Sequence, residues 1–135
     1  MAGNSNPRYG WMKIMYTSTI VVAGGFGLGI LLVPDILGDL FGWPGQDPIV
    51  LGVAGSVYLS FACLSVLGLK APLKFSPVLL LQLIYKVVWF AAVIVPILVK
   101  GDFPSYAVLY AVIFALFILG DLMAIPFSYL FGTQA

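Results

Sequence analysis

The stretch PVLLLQLIYKVVWFAAVIVPILV, residues 77–99, decides how this chain folds. Its one charge is Lys86 and its one amide is Gln82; nearly everything else in it is apolar. A helix rises about 1.5 Å per residue, so roughly 20 residues cover the hydrocarbon core of a bilayer, and this run is long enough to cross. Three more runs of the same kind surround it, at about residues 15–33, 49–69 and 105–130. Pro34, Pro44-Gly45 and Pro48 punctuate the first join, Pro72 and Pro77 the second, and Gly101 and Pro104 the third. Joins this short make sequential spans pack antiparallel. The expected fold is all-α: a four-helix up-and-down transmembrane bundle, with residues 1–135 forming a single integral membrane domain.

Composition points the same way. Charged residues make up 8% of the chain and hydrophobic ones 62%, against roughly a quarter charged in soluble domains, and the mean hydropathy is +1.13. The net charge of +1 is scattered, so nucleic acid is excluded as a partner. The chain has no His and no Glu, and its single cysteine, Cys63, lies in an apolar run. No His-ligated metal or haem, His general base, internal disulfide or redox Cys pair can be built from this set, and no metal site is expected. Catalysis would have to rest on Asp, Lys, Tyr, Ser or a bound organic cofactor, so the chain is not expected to be an enzyme.

Arg8 and Lys13 precede the first run much as they would in a signal peptide, but the run extends to Val33, so it reads as a retained span. Arg8, Lys13, Lys70 and Lys74 fall on one side of the predicted bundle and Lys100 on the other. The positive-inside rule then expects both termini in the cytoplasm, with the protein integral to an inner (plasma) membrane. Trp11, Trp43, Tyr106 and Tyr129 fall near the interfaces. PDILGDLF, residues 34–41, sets Ile36, Leu37, Leu40 and Phe41 at helical spacing between acids; it reads either as a short interfacial helix after the first span or as an ordered loop cap.

Two ionisable groups fall within spans, where a charge costs at least roughly 2.5–3.5 kcal/mol. Counted from Asp102, Lys86 is 16 residues back and Asp121 is 19 forward, so an antiparallel hairpin sets them within roughly 5 Å of one depth, near enough to pair. Gln82, Lys86 and Trp89 share one stripe of the third span. Tyr110, Phe114, Phe117, Asp121 and Ser128 share one of the fourth, and Tyr58 of the second comes to similar depth. The candidate polar cluster is therefore Lys86, Asp121, Gln82, Tyr58, Trp89 and Tyr110. It is open to two readings: a buried ion pair that fixes helix register, or a site that binds a polar head group or relays protons.

Gly25 and Gly29 in the first span, and Gly52, Ser56 and Ser60 in the second, have the small-xxx-small spacing that lets helices approach closely, within the bundle or against another subunit. Cys63 reads as a packing residue, and Asp35 and Asp39 as solvated acids at the outer interface. GGFGLG, residues 24–29, lacks the lysine and preceding strand of a phosphate loop. Pro96 and Pro126 lie near span ends and read as helix terminators.

The glycine-rich first helix ending in VPD (33–35) and the polar third helix QLIYKVVW (82–89) resemble the small bacterial DoxX-like membrane proteins. The resemblance implies four helices in one bundle, and a role as a membrane partner of quinone-linked sulfur oxidation or as an accessory subunit. It carries no catalytic residue across. The first expectation for function is an accessory or scaffolding subunit of a larger membrane complex, whose partners are membrane lipids and other membrane subunits or further copies of itself. The second is a small-molecule carrier or a quinone- or lipid-binding module using the Lys86–Asp121 cluster. No cofactor is expected beyond a bound lipid or quinone.

Overall fold

The computed structural model describes residues 7–132. Four helices are long and apolar enough to cross a membrane, Tyr9–Leu32, Pro48–Lys70, Pro77–Lys100 and Tyr106–Ala124, and together they make a membrane-embedded helical bundle. In chain order the elements are α1 (Tyr9–Leu32), α2 (Pro34–Phe41), α3 (Pro48–Lys70), α4 (Pro77–Trp89), a π-helical turn (Phe90–Ile94), α5 (Val95–Lys100), α6 (Tyr106–Ala124) and α7 (Phe127–Phe131). No strand occurs among the described residues. The third span is α4, the π turn and α5 taken together.

The span limits differ from the hydropathy reading where residues are amphipathic or where proline intervenes. The first helix begins at Tyr9 because Trp11 and Lys13 have apolar bodies with polar tips and can extend a helix into the interface. The fourth ends at Ala124. Ile125 is extended (φ −64°, ψ 125°), since the Pro126 ring disfavours helical backbone in the residue before it, and the chain resumes as α7. Pro96, expected to terminate the third span, does not. A proline ring crowds the carbonyl four residues back, here that of Ala92 inside the π turn. The wider turn, in which the Val95 N–H reaches back to the Phe90 carbonyl, accommodates the ring, and the helix runs on to Lys100.

Between the first two spans, PDILGDLF is a helix. Pro34 opens it, Asp35 sits in its first turn, and Gly42 closes it in the left-handed conformation (φ +70°) that glycine adopts without strain. Leu37 lies against Gly29 of α1, while Ile36 and Leu40 are exposed. The Asp47 carboxylate caps α3, accepting hydrogen bonds from the Ile49 and Val50 N–H groups at 2.9 and 3.0 Å.

Around the bundle, α1 packs most extensively on α3 and also on α6, α6 packs on α4, and the α3–α4 seam is sparse. Glycine explains the tight side. A Cβ on Gly27 would lie 2.7 Å from the Leu59 nitrogen and 2.8 Å from the Gly55 oxygen, so backbone meets backbone there. Gly24 meets the Ala62 side chain, and Gly55 meets Ile30. The expected packing residues Gly25, Gly52, Ser56 and Ser60 are not at this contact: Gly25, Ser56 and Ser60 are exposed, and a Cβ on Gly25 or Gly52 would meet nothing within 4 Å. The four-residue spacing occurs in several phases along glycine-rich helices, and only partner contacts select among them. Gly29 does pack, but against α2. Near the α3–α4 connection, Met12, Met15, Tyr16, Leu79, Leu83 and Phe117 form the core, where the Tyr16 hydroxyl donates to the Pro72 carbonyl at 2.7 Å.

Gly27→Ala therefore drives a methyl into backbone that cannot yield, and a loss of about 1–3 kcal/mol is expected. Gly25→Ala, facing open space, is expected to be neutral or to stabilise α1 by up to about 1 kcal/mol. Reversible unfolding in mixed micelles followed by circular dichroism distinguishes them; equal effects would contradict the contact.

Candidate intramembrane polar site

Six polar side chains are buried among the described residues: Ser76 (0% exposed) in the α3–α4 connection and, within the spans, Thr19 of α1 (1%), Ser65 of α3 (0%), Gln82 (1%) and Lys86 (3%) of α4, and Asp121 of α6 (0%). Each span contributes at least one. They lie in the half of the bundle that carries the α3–α4 connection, because Thr19 precedes the middle of α1 while Ser65 and Asp121 follow the middles of α3 and α6.

Gln82 and Thr19 bond to each other. The Gln82 amide donates to Thr19 Oγ1 at 2.9 Å, and the Thr19 hydroxyl donates to the Met15 carbonyl one turn back at 2.8 Å. A hydroxyl has one hydrogen, so with it committed to Met15 the Gln82 amide oxygen, 3.2 Å from Thr19 Oγ1, keeps accepting capacity. Gln82 thus ties the third span to the first; although it shares the stripe of Lys86, it makes no hydrogen bond to Lys86 or Asp121.

Lys86 and Asp121 face the interior and act on each other electrostatically, but the expected pair does not form as a hydrogen-bonded ion pair. Both Asp121 carboxylate oxygens are buried and have no hydrogen-bond partner among the described residues. The Lys86 ammonium instead donates to the Tyr85 hydroxyl at 3.0 Å and lies 4.3, 4.9 and 5.2 Å from the ring centroids of Tyr85, Phe117 and Phe114. Aromatic faces carry negative potential, and three of them offset part of what the charge loses on leaving water. Phe117 lies one turn before Asp121 on α6, so the ammonium meets the ring where equal depth alone would have it meet the carboxylate.

At the bundle centre is a cavity of about 30 Å³ reached by all four spans, with Lys86, Gln82, Tyr58, Tyr85 and Tyr110 as its polar lining and Phe26, Phe61, Phe114 and Phe117 among its apolar walls. A water needs about 10–15 Å³, so this space takes two waters or a group of two to three heavy atoms. The structure thus brings four of the six predicted residues, Lys86, Gln82, Tyr58 and Tyr110, to one cavity. Trp89 packs edge-on against Phe114 at 4.9 Å and lines a separate groove near Trp43 and Tyr106; Asp121 is outside the lining. Tyr85, Thr19 and Ser65 went unpredicted. Tyr85 precedes Lys86 directly and is off the 82–86–89 stripe, although its place in QLIYKVVW was a signal. Thr19 could have been found by asking what would satisfy Gln82. Ser65, with an unpartnered hydroxyl, gave no signal.

Among the described residues no group of three or more His, Cys, Asp or Glu side chains gathers to hold a metal ion. What the arrangement can do is donate: an ammonium with two of its three N–H bonds unused, beside three phenols, addresses a hydrogen-bond acceptor.

No protein-family model, curated protein or solved structure matches the chain.

Thr19→Val would leave the Gln82 amide without its partner. Interhelical hydrogen bonds in membranes average about 0.6 kcal/mol and reach about 1.7, so a loss near the upper figure is expected because both groups are sealed. Adding Gln82→Leu should recover part of it in a double-mutant cycle. Strict additivity would show that the two do not interact.

Proposed function

We propose that this chain is a membrane-embedded binding module that takes the polar head of a small amphiphile, a lipid or a quinone, at Lys86. One observation carries the reading: the Lys86 ammonium, 3% exposed, lines a central cavity with a single hydrogen bond to its name. A side chain kept only to fix register would be better satisfied, since a buried charge that lacks partners is costly and an apolar residue of similar volume is often neutral or stabilising in its place. Intramembrane ionisable groups facing a cavity are the usual marks of substrate and ion pathways. The basic residues at one end of the bundle favour cytoplasmic termini in an inner bacterial membrane, and the likeness of residues 33–35 and 82–89 to DoxX-like proteins supports a quinone- or lipid-linked setting.

A second reading, the accessory or scaffolding subunit, is favoured by a different observation. Ser56, Ser60 and Cys63 lie exposed on the outer face of α3, small residues on which another membrane helix could approach closely. The two readings are compatible, since a subunit can carry a ligand to or for its complex.

Lys86→Met is expected to keep the helical content and the wild-type elution in mild detergent, while the amphiphile co-purifying with the wild-type protein, read by mass spectrometry of an organic extract, falls at least tenfold. An unchanged extract would overturn the binding reading. Co-migration of stoichiometric partner chains, unaffected by Lys86→Met, would instead support the subunit reading alone.

A further inference from the structure

A shallow groove of about 340 Å³ runs along the sparse α3–α4 seam, lined by Ala54, Val57, Tyr58, Phe61, Leu81 and Tyr85. Val57 and Leu81 are exposed on the bundle's outer surface, where the acyl chains of a bilayer would lie. Tyr58, Phe61 and Tyr85 line the groove and the central Lys86 cavity alike, with the Phe61 and Tyr85 rings 5.4 Å apart across the seam. A largely apolar recess inside the bundle, lined by Lys86 and three tyrosines, and an apolar groove on its surface thus share one wall.

From this juxtaposition we infer that the occupant is a long-chain fatty acid, its carboxylate held by Lys86 in the central cavity and its chain lying in the α3–α4 groove. This rests on the amphiphile-binding reading above and names the head and the tail. The head must be an acceptor, because Lys86 keeps two N–H donors and the Tyr58 and Tyr110 hydroxyls bond to no other described residue. A compact head fits best, because about 30 Å³ takes a carboxylate as it stands, whereas a quinone ring or a glycerol phosphate would have to push the walls apart. Negative charge is what an ammonium caged by three rings and one phenol still lacks on its open side. Asp121, the nearest opposing charge, is outside the cavity lining and does not occupy the head position. The tail must be apolar, because the side chains lining the α3–α4 groove are apolar apart from the Tyr58 and Tyr85 hydroxyls.

The test uses the full chain, purified, stripped of lipid by detergent exchange, and titrated with carboxyl-¹³C palmitate, hexadecanol, decylubiquinone and octanoate; binding is read by the carboxyl ¹³C resonance and by competition. Saturable palmitate binding is expected, with hexadecanol at least tenfold weaker. Lys86→Met should abolish palmitate binding, and Ala54→Phe, which fills the groove, should weaken palmitate at least fivefold while leaving octanoate unchanged. Should Lys86→Met fail to fold, the hexadecanol comparison and Ala54→Phe carry the test on their own. Equal binding of hexadecanol and palmitate, or palmitate binding indifferent to Ala54→Phe, overturns the inference. Decylubiquinone binding that Lys86→Met removes, with no palmitate binding, overturns the fatty acid and leaves the amphiphile reading standing. Binding of none of the probes overturns both.

Discussion

The backbone contact of α1 with α3 at Gly27 sets the shape of the whole bundle. With no side chain at Gly24, Gly27 or Gly55, backbone meets backbone and α1 and α3 pack more extensively than any other pair of helices. In lipid the hydrophobic effect does not press helices together, so packing of this kind decides which neighbours are tight and which are loose. The other half of the bundle is filled differently. Phe114, Phe117, Tyr110 and Trp89 occupy the space around α4 and α6, and large rings hold helices apart. One tight side and one wide side leave the α3–α4 seam thin. Both the central cavity and the outer groove reach that seam, and Tyr58, Phe61 and Tyr85 are where they meet.

Placing a lysine in such a bundle requires compensation that the rest of the sequence must supply. The chain answers with rings more than with counter-charge: Tyr85, Phe114 and Phe117 surround the ammonium, one phenol oxygen accepts from it, and Asp121 contributes only through space. Rings are weak partners next to a carboxylate in direct contact, but they leave the remaining N–H bonds free. The geometry that makes Lys86 poorly satisfied as a structural element makes it available as a binding one. Gln82, by contrast, is bonded to Thr19, and its part is to hold α4 against α1 at the floor of the same cavity.

The four helices were legible because hydropathy and length act on whole segments, and lipid leaves no cheaper way to satisfy a backbone. The charges placed within spans were legible too, and Lys86 and Asp121 are both buried. What a count of depth omits is rotation and local reach. It could not tell that Phe117 rather than Asp121 meets the ammonium, or that Tyr85, one residue off the stripe, is the closest partner of all. The small-residue motif did not show which glycines meet α3, for the same reason. Gly25 and Gly29 are four residues apart, but the α1 glycines turned toward α3 are Gly24 and Gly27, three apart, and only the partner helix selects them. Pro96 was misjudged because a proline's effect depends on whether the preceding turn can widen, and the run FAAVI does so with small and branched side chains that tolerate a π turn.

One of the rings that offset the burial of Lys86, that of Tyr85, also stands in the wall that the cavity shares with the lipid-facing groove. Tyr85 does both at once: its hydroxyl accepts from the ammonium, and its ring faces Phe61 across the seam. A group arriving at Lys86 from the bilayer must pass Tyr85 and take over some of the stabilisation that Tyr85 provides. Access and affinity are therefore coupled through one side chain. Loosening the seam would admit a ligand more readily but would strip the lysine of a ring it relies on, whereas a tighter seam would satisfy the lysine and close the route. The width at which the two demands balance is governed from the far side of the bundle, by how closely Gly27 lets α1 draw α3 away from α4.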